Sequence, residues 1–231
     1  MSEHDHGHDH SPDPNMVPEN IMDRLKVETW PLHQQAERAP RQRSMLKGET
    51  PVEGYAAHLG QLYLIHKSLE EKLADARTTT PAVAAVVTDE QFQVPYLVED
   101  LEHFGVDPAT VEPEQATTDM IATIEKAASE SALKILGMHY VLEGSNNGGR
   151  FIAMGLRKVY GLTDKGTRYM DPYGERQREL WASFKGTMNE QAFSDAEQDI
   201  IVESAKDMFR GMTALGGGEI VEVSASEPVS G

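Results

Sequence analysis

The sequence predicts an all-α fold, because apolar residues recur at helical spacing over long segments and no window alternates as a half-buried strand would. The segment 51–77 is the clearest example, since Pro51 suits the first turn of a helix and the apolar residues after it form one stripe. That stripe consists of Tyr55, Leu59, Leu62, Tyr63, Ile65, Leu69 and Leu73. At 231 residues the chain is expected to form a single compact helical domain.

The remaining helices are predicted from the same periodicity and from residues that start or stop a helix. They cover residues 95–104, 117–143, 150–160, 175–190 and 194–214, and 150–160 is either a separate helix or the continuation of the one before. Gly105 ends the first of these. The last one begins at Ser194 and has Glu197 three residues later, which is the pattern of a capping box.

Both ends of the chain are predicted to be disordered tails. Residues 1–17 hold histidines, acids and prolines but almost no apolar side chains, so they cannot bury enough surface to offset the entropy of ordering. In residues 215–231, Leu215 is followed by three glycines and then by small, acidic and proline residues. The folded domain is therefore expected to span residues 18–214.

The composition excludes several classes of protein. The chain has no cysteine, which excludes disulfides, thiolate zinc sites, iron–sulfur clusters and a cysteine nucleophile. A formal net charge of −17 disfavours a surface for nucleic acid or anionic membrane, because phosphate binding requires cations. No apolar stretch approaches the length of about 20 residues that spans a bilayer, and the amino terminus lacks the pattern of a signal peptide. We therefore expect a cytoplasmic protein.

The nine histidines raise the question of metal binding. Four alternate with acids and glycine in the amino-terminal tail, where they either collect divalent metals or have only incidental affinity. These four are His4, His6, His8 and His10. Four more lie on different predicted helices without the spacing of metal ligands and are expected to be surface or hydrogen-bonded core residues: His58, His66, His103 and His139.

The ninth histidine, His33, lies in a segment from Leu25 to Glu37 that is predicted to be helical. Glu37 follows four residues later and therefore lies on the same side of the helix, one turn on. A carboxylate there can accept the second imidazole N–H, fix the tautomer and strengthen the histidine as a metal ligand. Pro31 is expected to disturb the helix just before His33. From spacing alone, an ordinary surface pair of His33 and Glu37 remains the alternative.

The segment 142–149 reads Leu-Glu-Gly-Ser-Asn-Asn-Gly-Gly and has two interpretations. By composition it is an interhelical turn. If a helix instead continues through it, each internal glycine costs about 1 kcal/mol relative to alanine, which calls for a compensating contact. Gly144 and Gly148 would then share one face without side chains, where another helix or a planar cofactor could approach the backbone.

Five motifs occur in order across residues 22–214. They are His33-x-x-x-Glu37, Gln61-Leu-Tyr63 with Leu69-Glu-Glu-Lys-Leu73, Glu99-Asp-Leu101, Tyr140-Val-Leu-Glu-Gly-Ser-x-x-Gly-Gly149, and Tyr173-Gly174 with Trp181 and Phe184. Together they resemble the bacterial, biliverdin-producing heme oxygenases. The resemblance implies a fold in which heme is sandwiched between a proximal helix and a kinked distal helix.

The resemblance also implies a role for particular residues. His33 matches the axial ligand of the heme iron, Glu37 its partner, and Ser145 a position where many members carry an aspartate that organises water. The implied catalytic residues are Gly144, Ser145 and Gly148, and the implied cofactor-binding residues are Lys26, His33, Glu37, Tyr140, Gly144, Gly148, Gly149 and Arg178. Lys26 and Arg178 match basic residues near the heme propionates. The serine puts in doubt how protons are relayed.

The implied reaction is the O2-dependent cleavage of heme b, which is both substrate and cofactor, to biliverdin, ferrous iron and CO. It requires an external electron donor, namely a ferredoxin, a flavodoxin or a reductase. A non-catalytic heme-binding or heme-trafficking protein on the same fold is the first alternative. Di-iron oxidases share the broader fold, and for that class the sequence offers Glu70 and His66 but no persuasive ligand set.

Overall fold

The computed structural model describes residues 11–13 and 16–221, and this part of the chain is helical with no strand. The helices are α1 (Ile21–Glu37), α2 (Pro40–Lys47), α3 (Val52–Arg77), α4 (Pro81–Val86), α5 (Val94–His103), α6 (Gln115–Glu130), α7 (Ala132–Tyr160), α8 (Gln177–Glu190) and α9 (Asp195–Leu215). The all-α fold class is thereby confirmed. No helix of the described residues is long and apolar enough to cross a membrane.

The helices α3 and α9 follow the sequence prediction closely. The segment predicted at 51–77 forms α3, and its stripe is buried from Tyr55 to Leu73 except at Tyr63, which is partly buried. In α9, the side chain of Ser194 accepts the backbone N–H of Glu197, and the Glu197 carboxylate accepts the backbone N–H of Ser194. The predicted capping box is therefore confirmed.

The single helix predicted over 117–143 is wrong, because the chain breaks at Ser131. This residue is extended, with φ of −164°, and its hydroxyl accepts the backbone N–H of Leu133. Ser131 thus caps the start of α7, a signal that the apolar periodicity on both sides had hidden. Residues 150–160 are the continuation of α7, which was one of the two interpretations. The short helices α2 and α4 were not predicted, although each starts with a proline.

The helix α9 is the common support of α1 and α7. Both pack extensively against it, and both also contact α8. At Gly137 on α7 an added Cβ would lie 2.1 Å from the carbonyl oxygen of Ile201, so glycine permits the two backbones to approach closely. On α1 the helix continues through Pro31 with no break.

The tail predicted at 215–231 is in part held on the domain. The backbone N–H and carbonyl of Val221 pair with the side-chain amide of Gln35 on α1, at 3.0 and 2.9 Å. The backbone N–H of Arg41 donates to the carbonyl of Gly216. Residues 216–221 therefore lie against the body rather than forming a free tail. Residues 1–10, 14, 15 and 222–231, including the four tail histidines, lie outside the described residues.

Candidate functional site

The glycine segment lies inside α7 and leaves one face of that helix bare. The helix runs through it without a break, so the interpretation of 142–149 as a turn is wrong. Beyond its own helix, a Cβ at Gly148 would have no described heavy atom within 4 Å, and the same holds for Gly155. Phe151 and Met154 nearby are 43% and 59% exposed. The helix α7 therefore presents an open, largely apolar face, which we call the bare strip (Gly144, Gly148 and Gly155).

Two polar side chains next to the bare strip bond back to the helix itself. The hydroxyl of Ser145 donates to the carbonyl of Leu142 at 2.6 Å, and the side-chain amide of Asn147 donates to the carbonyl of Gly144 at 3.0 Å. Such bonds compete with the regular backbone ladder and commonly bend helices. Both bonds lie in the part of α7 that carries Gly144 and Gly148.

Gly149 departs from the expectation that it contributes to a cofactor site. It is buried, and a Cβ there would lie 2.3 Å from the carbonyl oxygen of Met170, which is too close for any side chain. Glycine is needed here so that the loop before α8 can lie against α7. Successive residues of a helix point about 100° apart, so Gly149 faces the interior while Gly148 faces open space.

An aromatic cluster closes one side of the bare strip. The outer edge of the Trp181 indole, on α8, lies 3.4 Å from where a Cβ of Gly144 would be. Its ring stacks on Phe184 at 5.4 Å between centroids and lies 5.9 Å from the ring of Tyr140. The ammonium of Lys185 lies 5.9 Å from the same indole. The space beside Gly144 is therefore occupied by a fixed ring, whereas that beside Gly148 is open.

His33 lies on α1 between two aromatic side chains. Its imidazole stacks on Trp30 at 5.2 Å between centroids and meets the edge of Phe209, on α9, at 5.6 Å. Its Nδ1 is buried and has no hydrogen-bond partner among the described residues. Because the side chain is 34% exposed, solvent reaches the ring at its other atoms.

The expected hydrogen bond between His33 and Glu37 is not formed. The closest approach of Nδ1 to the Glu37 carboxylate is 3.9 Å, which is too long for a hydrogen bond. The glutamate side chain is 61% exposed and can move. The two residues share one side of α1, as predicted, and a shift of about 1 Å would bring them into hydrogen-bonding distance.

Behind the bare strip, Glu143 is a buried carboxyl with one oxygen unpaired. Oε2 accepts hydrogen bonds from the hydroxyl of Tyr173 at 2.8 Å and the side-chain amide of Asn146 at 3.3 Å. Oε1 has no partner in the described part of the chain. Burial raises the pKa of Glu143 to about 7, so this carboxyl exchanges a proton near neutral pH.

A second buried chain of polar groups ends at Ser145. His66 Nδ1 lies 3.1 Å from the carboxylate of Glu70, and its Nε2 lies 3.1 Å from the hydroxyl of Tyr169. Burial raises the pKa of Tyr169, and a hydrogen bond with Ser145 opposes that rise. The carboxylate of Asp100 holds the backbone of Tyr169 in place by accepting its N–H at 2.8 Å.

The other predicted site residues lie on α1, α7 and α8. Lys26 is half-buried on α1, Arg178 is exposed on α8, and Tyr140 is buried beside Trp181. Of the histidines expected to be structural, His58 and His139 are buried, and burial lowers the pKa of each to about 3. They are therefore neutral core residues.

A di-iron site is not supported by the geometry. Glu70, one of its two candidate ligands, accepts the backbone N–H of Gln93 at 2.7 Å and supports the start of α5. Across the described ranges no cluster of three or more histidine and acidic side chains could hold a metal ion.

Sequence reasoning missed three residues of this region. Tyr169 and Glu143 were not singled out. The spacing of His66 and Glu70 by four residues indicated only that those two form a pair on one helical face. Phe209 was also missed, because nothing in the sequence relates α9 to His33 before the fold is known.

A family model described as heme oxygenase matches residues 19–215 of the chain. The chain belongs to the heme oxygenase family. Among curated relatives, heme oxygenase 1 of Pongo abelii is 24% identical over 205 residues, covering 86% of this chain and 71% of the relative. Heme oxygenase 1 of Homo sapiens is 23% identical over the same lengths.

Solved heme oxygenases have the same fold. The enzyme from Leptospira interrogans has a TM-score of 0.78 at 23% identity, with 85% of this chain and 98% of that chain covered. Heme oxygenase-1 from the cyanobacterium Synechocystis, solved in complex with heme, has a TM-score of 0.79 at 20% identity, with 86% and 91% covered. At these identities the structural likeness shows a shared heme oxygenase fold.

Proposed function

We propose that this heme oxygenase family member is itself an active heme oxygenase. It binds one heme b between α1 and α7 and cleaves it, with O2 and electrons from an external ferredoxin, flavodoxin or reductase, to biliverdin, ferrous iron and CO. The observation that carries the proposal is the bare strip, which an uninterrupted helix maintains despite the cost of several glycines. A flat apolar ligand would repay that cost by contact with the helix backbone.

The residues on α1 and α7 suit heme, and we call the proposed binding space between these two helices the cleft. The porphyrin is flat and apolar. The exposed apolar side chains of Phe151 and Met154 beside the bare strip favour such a ligand. On α1, the imidazole of His33 is held by Trp30 and Phe209 in one orientation. We propose that His33 is the axial ligand of the iron and that Glu37 moves to accept the N–H of Nδ1 once the ring is fixed.

Two cations are proposed to hold the heme carboxylates. Lys26 lies two turns before His33 on α1, and Arg178 lies on the exposed side of α8. Both are long side chains that can reach a propionate at the open edge of the cleft, and an ionic hydrogen bond there orients the ring.

When bound, heme supplies the iron at which O2 is reduced and is itself the substrate. The chain supplies the axial ligand, the position of the ring and protons. We propose that Ser145 delivers protons at its hydroxyl, where the family often has an aspartate. Its connection through Tyr169 to His66 supports this role, because a hydroxyl and an imidazole can each accept a proton on one side and release one on the other.

The test is reconstitution of the purified chain with heme, followed by reduction in air with a ferredoxin and its reductase. We expect a Soret titration that ends at one heme per chain, loss of the Soret band on reduction, growth of the biliverdin absorption and trapped CO. A complex that is reduced without producing biliverdin or CO would support the non-catalytic heme carrier instead. Absence of heme binding would exclude both functions.

A further inference from the structure

Trp181 closes one end of the bare strip, and no described side chain closes the other end in the same way. The indole is in ordinary van der Waals contact with the position of a Cβ on Gly144. At Gly148 and Gly155 no described atom outside the helix lies within 4 Å of that position. A planar ligand on the strip is therefore bounded at one end by an aromatic ring and is free to extend at the other.

The indole is held firmly enough to act as a boundary. Phe184, which is only 2% exposed, lies nearly parallel to it, with an interplanar angle of 9°. Tyr140 packs on the indole from α7 at an angle of 34°, and Tyr140 is itself 8% exposed. Rotation of Trp181 away from Gly144 would give up both ring contacts.

We propose that Trp181 determines which meso carbon of the heme is cleaved, by fixing the rotation of the ring within its own plane. This inference rests on the proposed function. The four meso edges of heme differ only in the substituents beside them, so an apolar slot without walls would hold several rotations at similar free energy. A fixed indole beside Gly144 excludes rotations that place a bulky substituent against it, because packed groups cannot overlap.

The proposal assigns Trp181 a positioning role, distinct from the chemistry. Propionate contacts with Lys26 and Arg178 fix the carboxylate edge of the ring, but long flexible side chains allow several positions of that edge. The indole instead supplies a rigid constraint at the apolar periphery of the heme. Selectivity therefore depends on the size of the side chain at position 181.

The experiment compares wild type with Trp181→Phe and Trp181→Ala in the heme-loaded protein. Chromatography of the biliverdin isomers measures selectivity, and the heme-methyl proton NMR shifts of the ferric cyanide complex report ring orientation without turnover. We expect Trp181→Ala to raise the minor isomers relative to the main one by about tenfold or more, or about 1.4 kcal/mol between orientations. Trp181→Phe should preserve much of the selectivity.

The control is Phe92→Ala, which removes a partly buried aromatic side chain that packs against Arg77 at the end of α3. It should leave the isomer ratio and the NMR pattern unchanged. A heme-bound Trp181→Ala protein with wild-type isomers and wild-type heme-methyl shifts would overturn the proposal. If that variant does not fold, wild-type isomers and shifts in Trp181→Leu would overturn it equally. Failure of the wild type to bind or cleave heme would instead remove the proposed function.

Discussion

The hydroxyl of Tyr173 donates a 2.8 Å hydrogen bond to the buried carboxyl of Glu143, yet the other oxygen of that carboxyl has no partner among the described residues. One hydroxyl and one amide cannot replace the hydration of a carboxylate, so burial dominates and the pKa of Glu143 rises to about 7. The helix α7 thus carries a titrating group one residue before Gly144.

The first prediction follows from the sign of that shift. The folded-state pKa lies above the ordinary value of 4.5, so the native protein binds the proton more tightly than the unfolded chain does. Stability from this group is fully present below pH 4.5 and is lost as the pH rises through about 7. Between pH 5 and 8, wild type should lose up to about 3 kcal/mol relative to Glu143→Gln in urea unfolding. Glu179→Gln, at an exposed carboxyl on α8, is the control, and equal pH profiles for wild type and Glu143→Gln would contradict the prediction.

The second prediction concerns the proximal side of the cleft. His33→Ala should still fold, since the imidazole is one-third exposed, but its ferric heme complex should lose the spectrum of histidine ligation. Imidazole added to the solution should restore that spectrum, because it can fill the space between Trp30 and Phe209. His103→Ala, at an exposed histidine on α5, should behave as wild type. A spectrum that does not change in His33→Ala would remove this residue from the site.

The third prediction uses two neighbouring glycines with opposite surroundings. Gly148→Leu should leave the free energy of unfolding nearly unchanged but lower heme affinity by at least about tenfold, because its side chain projects into the cleft. Gly149→Ala should do the reverse and cost about 1–3 kcal/mol of stability, since its Cβ meets the backbone of Met170. Thermal melting and heme titration on both variants separate the two effects. Full heme affinity and biliverdin yield in Gly148→Leu would refute the assignment of the bare strip.

The fourth prediction concerns the hydroxyl between His66 and Ser145. Tyr169→Phe should keep heme affinity but slow ring opening by roughly tenfold to a hundredfold, with reduced oxygen released as hydrogen peroxide. Tyr55→Phe is a matched control, because it also removes a buried hydroxyl, one that donates to the carbonyl of Gly166 at 2.9 Å. Equal rates in the two variants would show that the chain through Tyr169 carries no protons.

The fifth prediction concerns the amino-terminal segment. Deletion of residues 1–17 should leave heme affinity and the rate of ring opening nearly unchanged, because the segment lacks apolar anchors and the family match begins at residue 19. Weak nickel or zinc binding should disappear with the four histidines. A loss of turnover of about tenfold in the truncated protein would mean that the segment contributes to the site.

The sequence predicted the features that depend on neighbouring residues and missed those that depend on contacts between distant residues. Apolar periodicity and a capping box gave α3 and α9, while Ser131 was hidden inside an unbroken apolar pattern. The composition of 142–149 favoured a turn, but the segment is helical, and Gly149 packs there on Met170, a contact 21 residues away that periodicity cannot reveal. Likewise, spacing alone pairs His33 with Glu37, but Phe209 supports the imidazole from another helix. The resemblance to a family, not the periodicity, predicted that α1 and α7 form one site.

The shared support of α1 and α7 on α9 has a consequence for how the cleft can evolve. Ile201 meets α7 at Gly137 and Phe209 meets the imidazole of His33, and these two positions are about two helical turns apart, or about 12 Å along one rigid axis. The separation between α1 and α7 therefore depends on the register of α9, whose residues largely lie outside the cleft. One residue inserted between them would rotate one support by about 100° relative to the other. The distance between α1 and α7 can thus be conserved while the residues that line the cleft diverge.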